Sequence, residues 1–315
     1  MSKKVIAKPR QITGDVVMIR PSQFGFNPET AGNNAFQNND TDLSTQEISS
    51  LAIKEFNAFV HQLRSFGIRV RVYEDLENPA TPDAVFPNNW LSMHHNGMVI
   101  SYPMFAPTRR FERRSDIIQS LSEDFHVNKD YTFEHYEEED LFLEGTGSLV
   151  LDRIDKIAYA ALSPRTNIAI LNKWCVLMDY EKVNFNAVDR NGLDIYHTNV
   201  MMAIGINFVI ICLESIKDET EKKVITNYFE KTDKEIIDIT YNQMESFAGN
   251  MIQLQGGGGQ HYVIMSETAY NSLSDDQINK IKSLTNIIIG KIPTIEKFGG
   301  GSVRCMIAEN FLPPK

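Results

Sequence analysis

Three residues of this chain carry the side chains that covalent catalysis needs: the thiol of Cys305, the imidazole of His197 and the carboxylate of Glu144. Cys305 follows a triple glycine in FGGGSVRCMIAEN (298–310), with Arg304 immediately before it. Glycines let a backbone turn tightly or approach a ligand closely, and a neighbouring cation favours the nucleophilic thiolate. His197 lies in the otherwise apolar run IYHTNVMMAIG (195–205). Glu144 follows Leu-Phe-Leu, at what reads as a strand end, and precedes Gly145 and Gly147. Nucleophile, base and orienting carboxylate together form the logic of covalent catalysis, although no spacing rule brings them together. The thiol and the imidazole also have structural readings, inert packing and a satisfied core position, and the acidic run Glu134–Asp140 before Glu144 reads as a solvated loop. On the residues alone both stand.

Polar groups cluster in two further segments, TPDAVFPNNWLSM (81–93) and APTRRFERRSD (106–116). Arg109, Arg110, Arg113 and Arg114 crowd the start of a helix that the pattern predicts over 109–124, where positive charge opposes the macrodipole. They make either a solvated face or an anion site, because arginine grips a carboxylate with two parallel hydrogen bonds. No Gly-x-Gly-x-x-Gly or Walker-type loop is present, and GGGGQHY (256–262) lacks the lysine a phosphate loop needs. The seven histidines, His94-His95 included, show no metal-ligand spacing, so neither metal nor cofactor is expected.

The elements that must position these residues alternate along the chain. Strand-like runs occur at 14–20, 67–74, 156–162, 174–180, 207–213, 261–266 and 286–290, and the run after His197 also reads as a core strand. The clearest helix spans 44–66: Ser44 and Glu47 make a capping box, Ile48, Ala52, Phe59, Leu63 and Phe66 recur at helical spacing, and Gly67 stops it. Further helices are expected at 217–231 and 274–284. No linker divides the 315 residues, which read as one large α/β domain. The Asn-rich stretch 24–40 reads as a surface loop or lid.

Composition narrows the classes. Hydrophobic residues at 42% and charged residues at 23% fit a folded globular chain, and the longest apolar run is far too short to span a membrane. A net charge of −10 argues against nucleic acid or an anionic membrane as partner. Three dispersed cysteines argue against a disulfide framework, and the N-terminus shows no signal peptide, so a cytoplasmic protein is expected. Assembly of copies into a homo-oligomer is compatible with all of this.

In order along nearly the whole chain, six motifs resemble the guanidine-modifying superfamily of arginine deiminases, amidinotransferases and dimethylarginine dimethylaminohydrolases. They are PDAVFPNNW (82–90), APTRR (106–110), LEGTGS (143–148), SPRTN (163–167), YHTN (196–199) and GGGSVRCM (299–306). The opening RPSQFGFNPETAGNNAFQ (20–37) is similar to the branch known as citrulline-utilisation hydrolases. The resemblance implies a five-bladed α/β propeller, or pentein, of ββαβ modules with its active site on the axis and no metal. It implies Cys305 as nucleophile, His197 as general acid/base and Glu144 as the group orienting it. Arg109 and Arg165 would bind a substrate α-carboxylate, and Asp83 would bind substrate.

The departures from the family pattern concern the substrate. Asn88-Asn89 stand where methylarginine hydrolases have Glu-Asp, Asn199 stands where arginine deiminases have Asp, and Gly300 replaces another aspartate. A guanidinium presents only donors, whereas a ureido group adds a carbonyl acceptor that an asparagine can serve. The expected reaction is therefore hydrolysis of a C–N bond in a ureido or guanidino amino acid such as citrulline, through a covalent cysteine intermediate. The alternatives are an amidinotransferase or methylarginine hydrolase of the same fold, or a non-catalytic member that binds a small amino acid.

Overall fold

Fifteen short strands, rich in β-branched and aromatic residues, assemble into five three-stranded sheets in a computed structural model that describes residues 5–315 apart from Asn33 and Ala35. The first strands are β1 (Asp15–Arg20) and β2 (Arg69–Glu74), which run parallel and are joined by the helix Thr45–Ser65. A parallel pair needs such a crossover, since a tight turn can join only antiparallel neighbours. Ser44 caps this helix with the full capping box, and Ile48, Ala52, Phe56, Phe59, Val60 and Leu63 form its buried stripe. Each large side chain so buried stabilises the fold by roughly 1.5–3 kcal/mol.

The next four modules repeat one plan. They are β3 (Leu91–Met93), β4 (Met98–Ser101) and β5 (Lys129–Thr132); β6 (Val150–Asp152), β7 (Ile157–Ala161) and β8 (Glu181–Phe185); β9 (Met202–Ile204), β10 (Phe208–Ile211) and β11 (Glu235–Asp238); and β12 (Ile252–Gln255), β13 (His261–Ser266) and β14 (Asn286–Gly290). In each, an antiparallel pair leads through a helix into a third strand parallel to the second. The linking helices are Ser115–Asp124, Ile168–Met178, Glu219–Lys231 and Asp275–Leu284. The inner strand of the first module comes from the far end of the chain: β15 (Ala308–Glu309) pairs antiparallel to β1, with Val17 opposite Ala308. The inner strands lie side by side, β15 against β3 and β9 between β6 and β12. The result is a five-bladed ββαβ propeller.

Three local expectations are corrected. Residues 174–180 are not a strand: the helix Ile168–Met178 holds most of them, its Asn167 cap accepting from Ala169 N at 2.8 Å. Ile170, Leu171, Trp174, Cys175 and Met178 are its buried face, a helical spacing hidden inside an apolar run. The helix expected at 109–124 starts only at Ser115, because Pro107–Glu112 forms a 3-10 turn and Arg113 is extended. The segment after His197 begins as the helical turn Thr198–Met201 before β9. Of the stretch 24–40, positions 33 and 35 lie outside the described residues, as do residues 1–4 of the N-terminus read for a signal. The rest of the stretch is more than a surface loop, since Phe24, Asn27, Thr30 and Asn34 are buried.

Candidate active site

Each inner strand is entered through a short segment that ends on the propeller axis, and these segments carry the chemistry. Asn88-Asn89 precede β3, the turn Gly145–Ser148 precedes β6, His197 and the turn Thr198–Met201 precede β9, Asn250 precedes β12 and Cys305 precedes β15. Residues up to 217 positions apart thus meet because the five-fold ring closes, not because of sequence spacing.

Glu144 caps the turn Gly145–Ser148, its own N–H donating to Ser148 Oγ at 3.0 Å and to the Arg165 carbonyl at 3.2 Å. Its carboxylate Oε1 accepts from Phe105 N at 2.8 Å, and its Oε2 lies 2.7 Å from His197 Nε2. Thr198 Oγ1 anchors the histidine turn by donating to the Ser148 carbonyl at 2.6 Å and accepting from Ala161 N at 2.8 Å. Burial alone would raise the Glu144 pKa, but Arg165 at 3.6 Å, the His197 hydrogen bond and Arg109 at 4.0 Å hold it well below the usual carboxylate range. For His197 burial dominates, pushing its pKa down against the pull of Glu144, so the resting imidazole is neutral. With Nε2–H donated to the carboxylate, Nδ1 is the basic nitrogen. Gly147 makes room for this ring: a Cβ there would stand 2.8 Å from His197 Nδ1 and 2.4 Å from Asn89 Nδ2.

Cys305 and His197 face one cavity of about 280 Å³, together with Thr30, Asn34, Asp83, Phe86, Asn89, Arg109, Arg165, Tyr196 and the glycines 299–301. The Cys305 sulfur accepts from Asn250 Nδ2 at 3.2 Å and Asn199 Nδ2 at 3.5 Å. Arg304, adjacent in sequence, turns away: its guanidinium bonds Glu309 at 2.9 Å and the Ile307 carbonyl at 2.9 Å. The donors to the thiol are therefore amides rather than the neighbouring cation. Cys175 and Cys212 lie elsewhere, with burial raising their thiols to about 11 and about 12.

The opposite wall is built on Arg109. The resemblance puts this residue on a substrate carboxylate, yet its fork closes on Glu112, at 2.8 and 2.9 Å, inside the protein. Its Nη1 donates to Asn89 Oδ1 at 2.8 Å. Because arginine only donates, the atom it meets must be the amide oxygen, which leaves Asn89 Nδ2 buried beside Gly147 with no hydrogen-bond partner. Asp83 Oδ2 accepts from Asn27 Nδ2 at 2.8 Å, while its Oδ1 has no partner. Arg165 bonds the Thr30 carbonyl at 3.2 Å and lies 4.9 Å from the Tyr196 ring centroid. Asn88 is fully buried with both amide atoms unpartnered, and Asn199 Oδ1 is also unpartnered.

The glycine-rich segment is shaped by its contacts with the stretch 24–40. Gly300 has φ +62°, and a Cβ there would lie 2.6 Å from Asn34 Nδ2. Gln37 Nε2 donates to the Gly299 carbonyl at 3.2 Å, and Tyr196 Oη to the Gly300 carbonyl at 2.9 Å. An aspartate at position 300 would be strained by the positive φ and would have to displace the Asn34 and Gln37 side chains. Asn250 was not legible in the sequence. Its signal is positional: like Asn89, it stands two residues before an inner strand. Among the described residues, no group of three or more His, Cys, Asp or Glu is arranged to hold a metal ion, and no helix is long and apolar enough to cross a membrane.

Comparison with known proteins gives the family. The full-length arginine dihydrolase ArgZ, of the ornithine-ammonia cycle in cyanobacteria, superposes with a TM-score of 0.70 at 16% identity over 95% of this chain. The match takes in 41% of ArgZ, so this chain spans less than half of that protein. The isolated N-terminal domain of ArgZ with bound product superposes with a TM-score of 0.70 at 17% identity, covering 95% of this chain and 99% of that domain. A dimethylarginine dimethylaminohydrolase adduct with S-methyl-L-thiocitrulline superposes with a TM-score of 0.63 at 15% identity, over 95% of this chain and 99% of that one. No curated protein sequence matches. The family model described as N,N dimethylarginine dimethylhydrolase, eukaryotic, matches residues 20–312, and to that family this chain belongs.

Proposed function

We propose that this chain is a cysteine hydrolase of a ureido amino acid of the citrulline type. Family membership supports the coarser class, hydrolysis of a C–N bond in a guanidino-like group. The observation that carries the finer reading is the pair of unpartnered atoms in the cavity wall. Asn89 offers an amide NH2 and Asp83 one carboxylate oxygen. A ureido group matches both, its carbonyl oxygen accepting from Asn89 and an N–H donating to Asp83. A guanidinium has no acceptor, so it would set N–H against N–H at Asn89, and an unmatched buried donor costs about 1–3 kcal/mol.

In the reaction, neutral His197 takes the thiol proton and Glu144 stabilises the resulting imidazolium. Cys305 Sγ bonds the ureido carbon, the C–N bond breaks, and His197 returns the proton to the departing amine. Water, deprotonated in turn by His197, then cleaves the carbon–sulfur bond and frees the thiol. Arg165 supplies the cation for the substrate carboxylate, while Arg109 holds Asn89 in its orientation.

The test is a substrate panel of citrulline, arginine and N,N-dimethylarginine, the last being the substrate in the family's description. Citrulline turnover at least a hundredfold faster than either guanidino compound is expected. Preferred turnover of arginine or dimethylarginine overturns the ureido reading and leaves the cysteine hydrolase standing.

A further inference from the structure

We propose that Asn250 is a further catalytic residue, which holds the Cys305 sulfur as a thiolate by hydrogen-bonding it directly. The inference rests on Cys305 being the nucleophile. Asn250 Nδ2 has two hydrogens and two acceptors, the Asn199 backbone carbonyl at 2.9 Å and Cys305 Sγ at 3.2 Å. A carbonyl can only accept, so the atom beside it must be the amide nitrogen, and the same anchor aims the second N–H at the sulfur. The residue is 1% exposed, and its own N–H is fixed to the Phe247 carbonyl at 2.9 Å, so it does not swing away. Asn199 Nδ2 adds a second contact at 3.5 Å.

A sulfur buried this far from water needs donors if it is to carry charge, and donors to an ionised acceptor are roughly twice as strong as neutral ones. Arg304 does not serve, being engaged by Glu309. The five-fold plan agrees with this role. Four blades supply Asn89, Glu144, His197 and Cys305, and Asn250 is what the remaining blade brings to the axis. No proton moves through Asn250. It lowers the energy of the thiolate that attacks and of the thiolate released when the carbon–sulfur bond breaks.

The experiment follows iodoacetamide alkylation of Cys305 from pH 6 to 9, resolved from Cys175 and Cys212 by peptide mass, in the full chain without substrate. Asn250→Leu removes the donor, and Asn250→Asp keeps the shape while replacing donor by acceptor. The expected result is about a tenfold slower alkylation at pH 7 in Asn250→Leu and a larger loss in Asn250→Asp, with rates converging toward wild type at high pH. Turnover should fall in kcat with KM nearly unchanged. Wild-type alkylation and pH profile in a folded Asn250→Asp protein overturn the role of Asn250 alone. A wild-type Cys305 that resists alkylation across the range overturns the nucleophile assignment and this proposal together.

Discussion

Two polar chambers lie within the ring of inner strands, and they handle their buried charges in opposite ways. The chamber alongside β6, β9 and β12 contains Arg153, Arg304 and Glu309, and its groups pair with one another. Glu309 Oε2 takes Arg304 at 2.9 Å and Arg153 at 3.5 Å, and Gln11 bonds the Leu151 carbonyl at 2.9 Å. None of these is among the unpartnered buried atoms. The chamber at Cys305 is lined by buried polar groups too, yet Asp83 Oδ1 and Asn89 Nδ2 of its lining residues, and Asn199 Oδ1 and Asn250 Oδ1 on the amides that hold its sulfur, are left without partners. Buried polarity marks both chambers, and unmatched polarity marks only the one at Cys305.

The comparison can be broken by substitution. The largest effect is expected at the nucleophile: Cys305→Ser should lower turnover about ten-thousandfold with the melting temperature almost unchanged. Residual turnover within tenfold of wild type would remove the catalytic meaning of the chamber at Cys305. Glu309→Gln should do the reverse. It leaves two buried arginines uncompensated, for a stability loss of about 3–5 kcal/mol in urea titration, with kcat of the folded protein within twofold of wild type. A selective loss of kcat would show that the chamber at Glu309 is functional too.

The pH dependence sharpens the contrast. His197 titrates lower in the folded chain than in the unfolded one, at about 4 instead of 6.5. On acidification the unfolded state therefore takes up the proton first. The stability is fully present above about pH 6.5 and is lost as pH falls to about 4, on the order of 3 kcal/mol. Glu144, held at about 2 against an ordinary 4.5, extends the loss with the same sign to lower pH. In chemical denaturation the wild type should show this slope and His197→Gln should lose its upper part. An identical slope in both would mean that folding does not lower the His197 pKa.

A smaller change is expected at specificity. Asn89→Asp replaces the unpartnered amide NH2 by an acceptor, and should lower kcat/KM for citrulline about a hundredfold while raising that for arginine. Equal losses on both substrates would separate Asn89 from the choice between them. The smallest effect belongs to the other thiols: Cys175→Ala and Cys212→Ala should leave turnover within twofold, since neither lies on the axis.

Much of the fold was legible where local signals agree. The capping box at Ser44 and the stripe from Ile48 to Leu63 gave the first helix to within a residue of its observed ends. Legibility failed at Trp174–Met178, where a continuous apolar run serves a buried helix as well as a strand, and at Arg109, where Pro107 opens a tighter turn instead of the helix. The proposed catalytic set was readable as chemistry, because a thiol, an imidazole and a carboxylate beside glycines are few in this chain. Asn250 was not, because an asparagine before an apolar run has no chemistry until a sulfur stands 3.2 Å away.

The sequence by itself determined the residue types at the axis, the alternation of strands and helices, and the absence of carboxylates at positions 88, 89 and 199. Only the tertiary structure decided which atom each of them turns to the ligand. Arg109 spends its fork on Glu112 and fixes Asn89 as a donor, and Arg304 leaves Cys305 to two amides. The physical reason is that hydrogen-bond direction depends on the partner across the ring, and ring closure brings partners together from every blade.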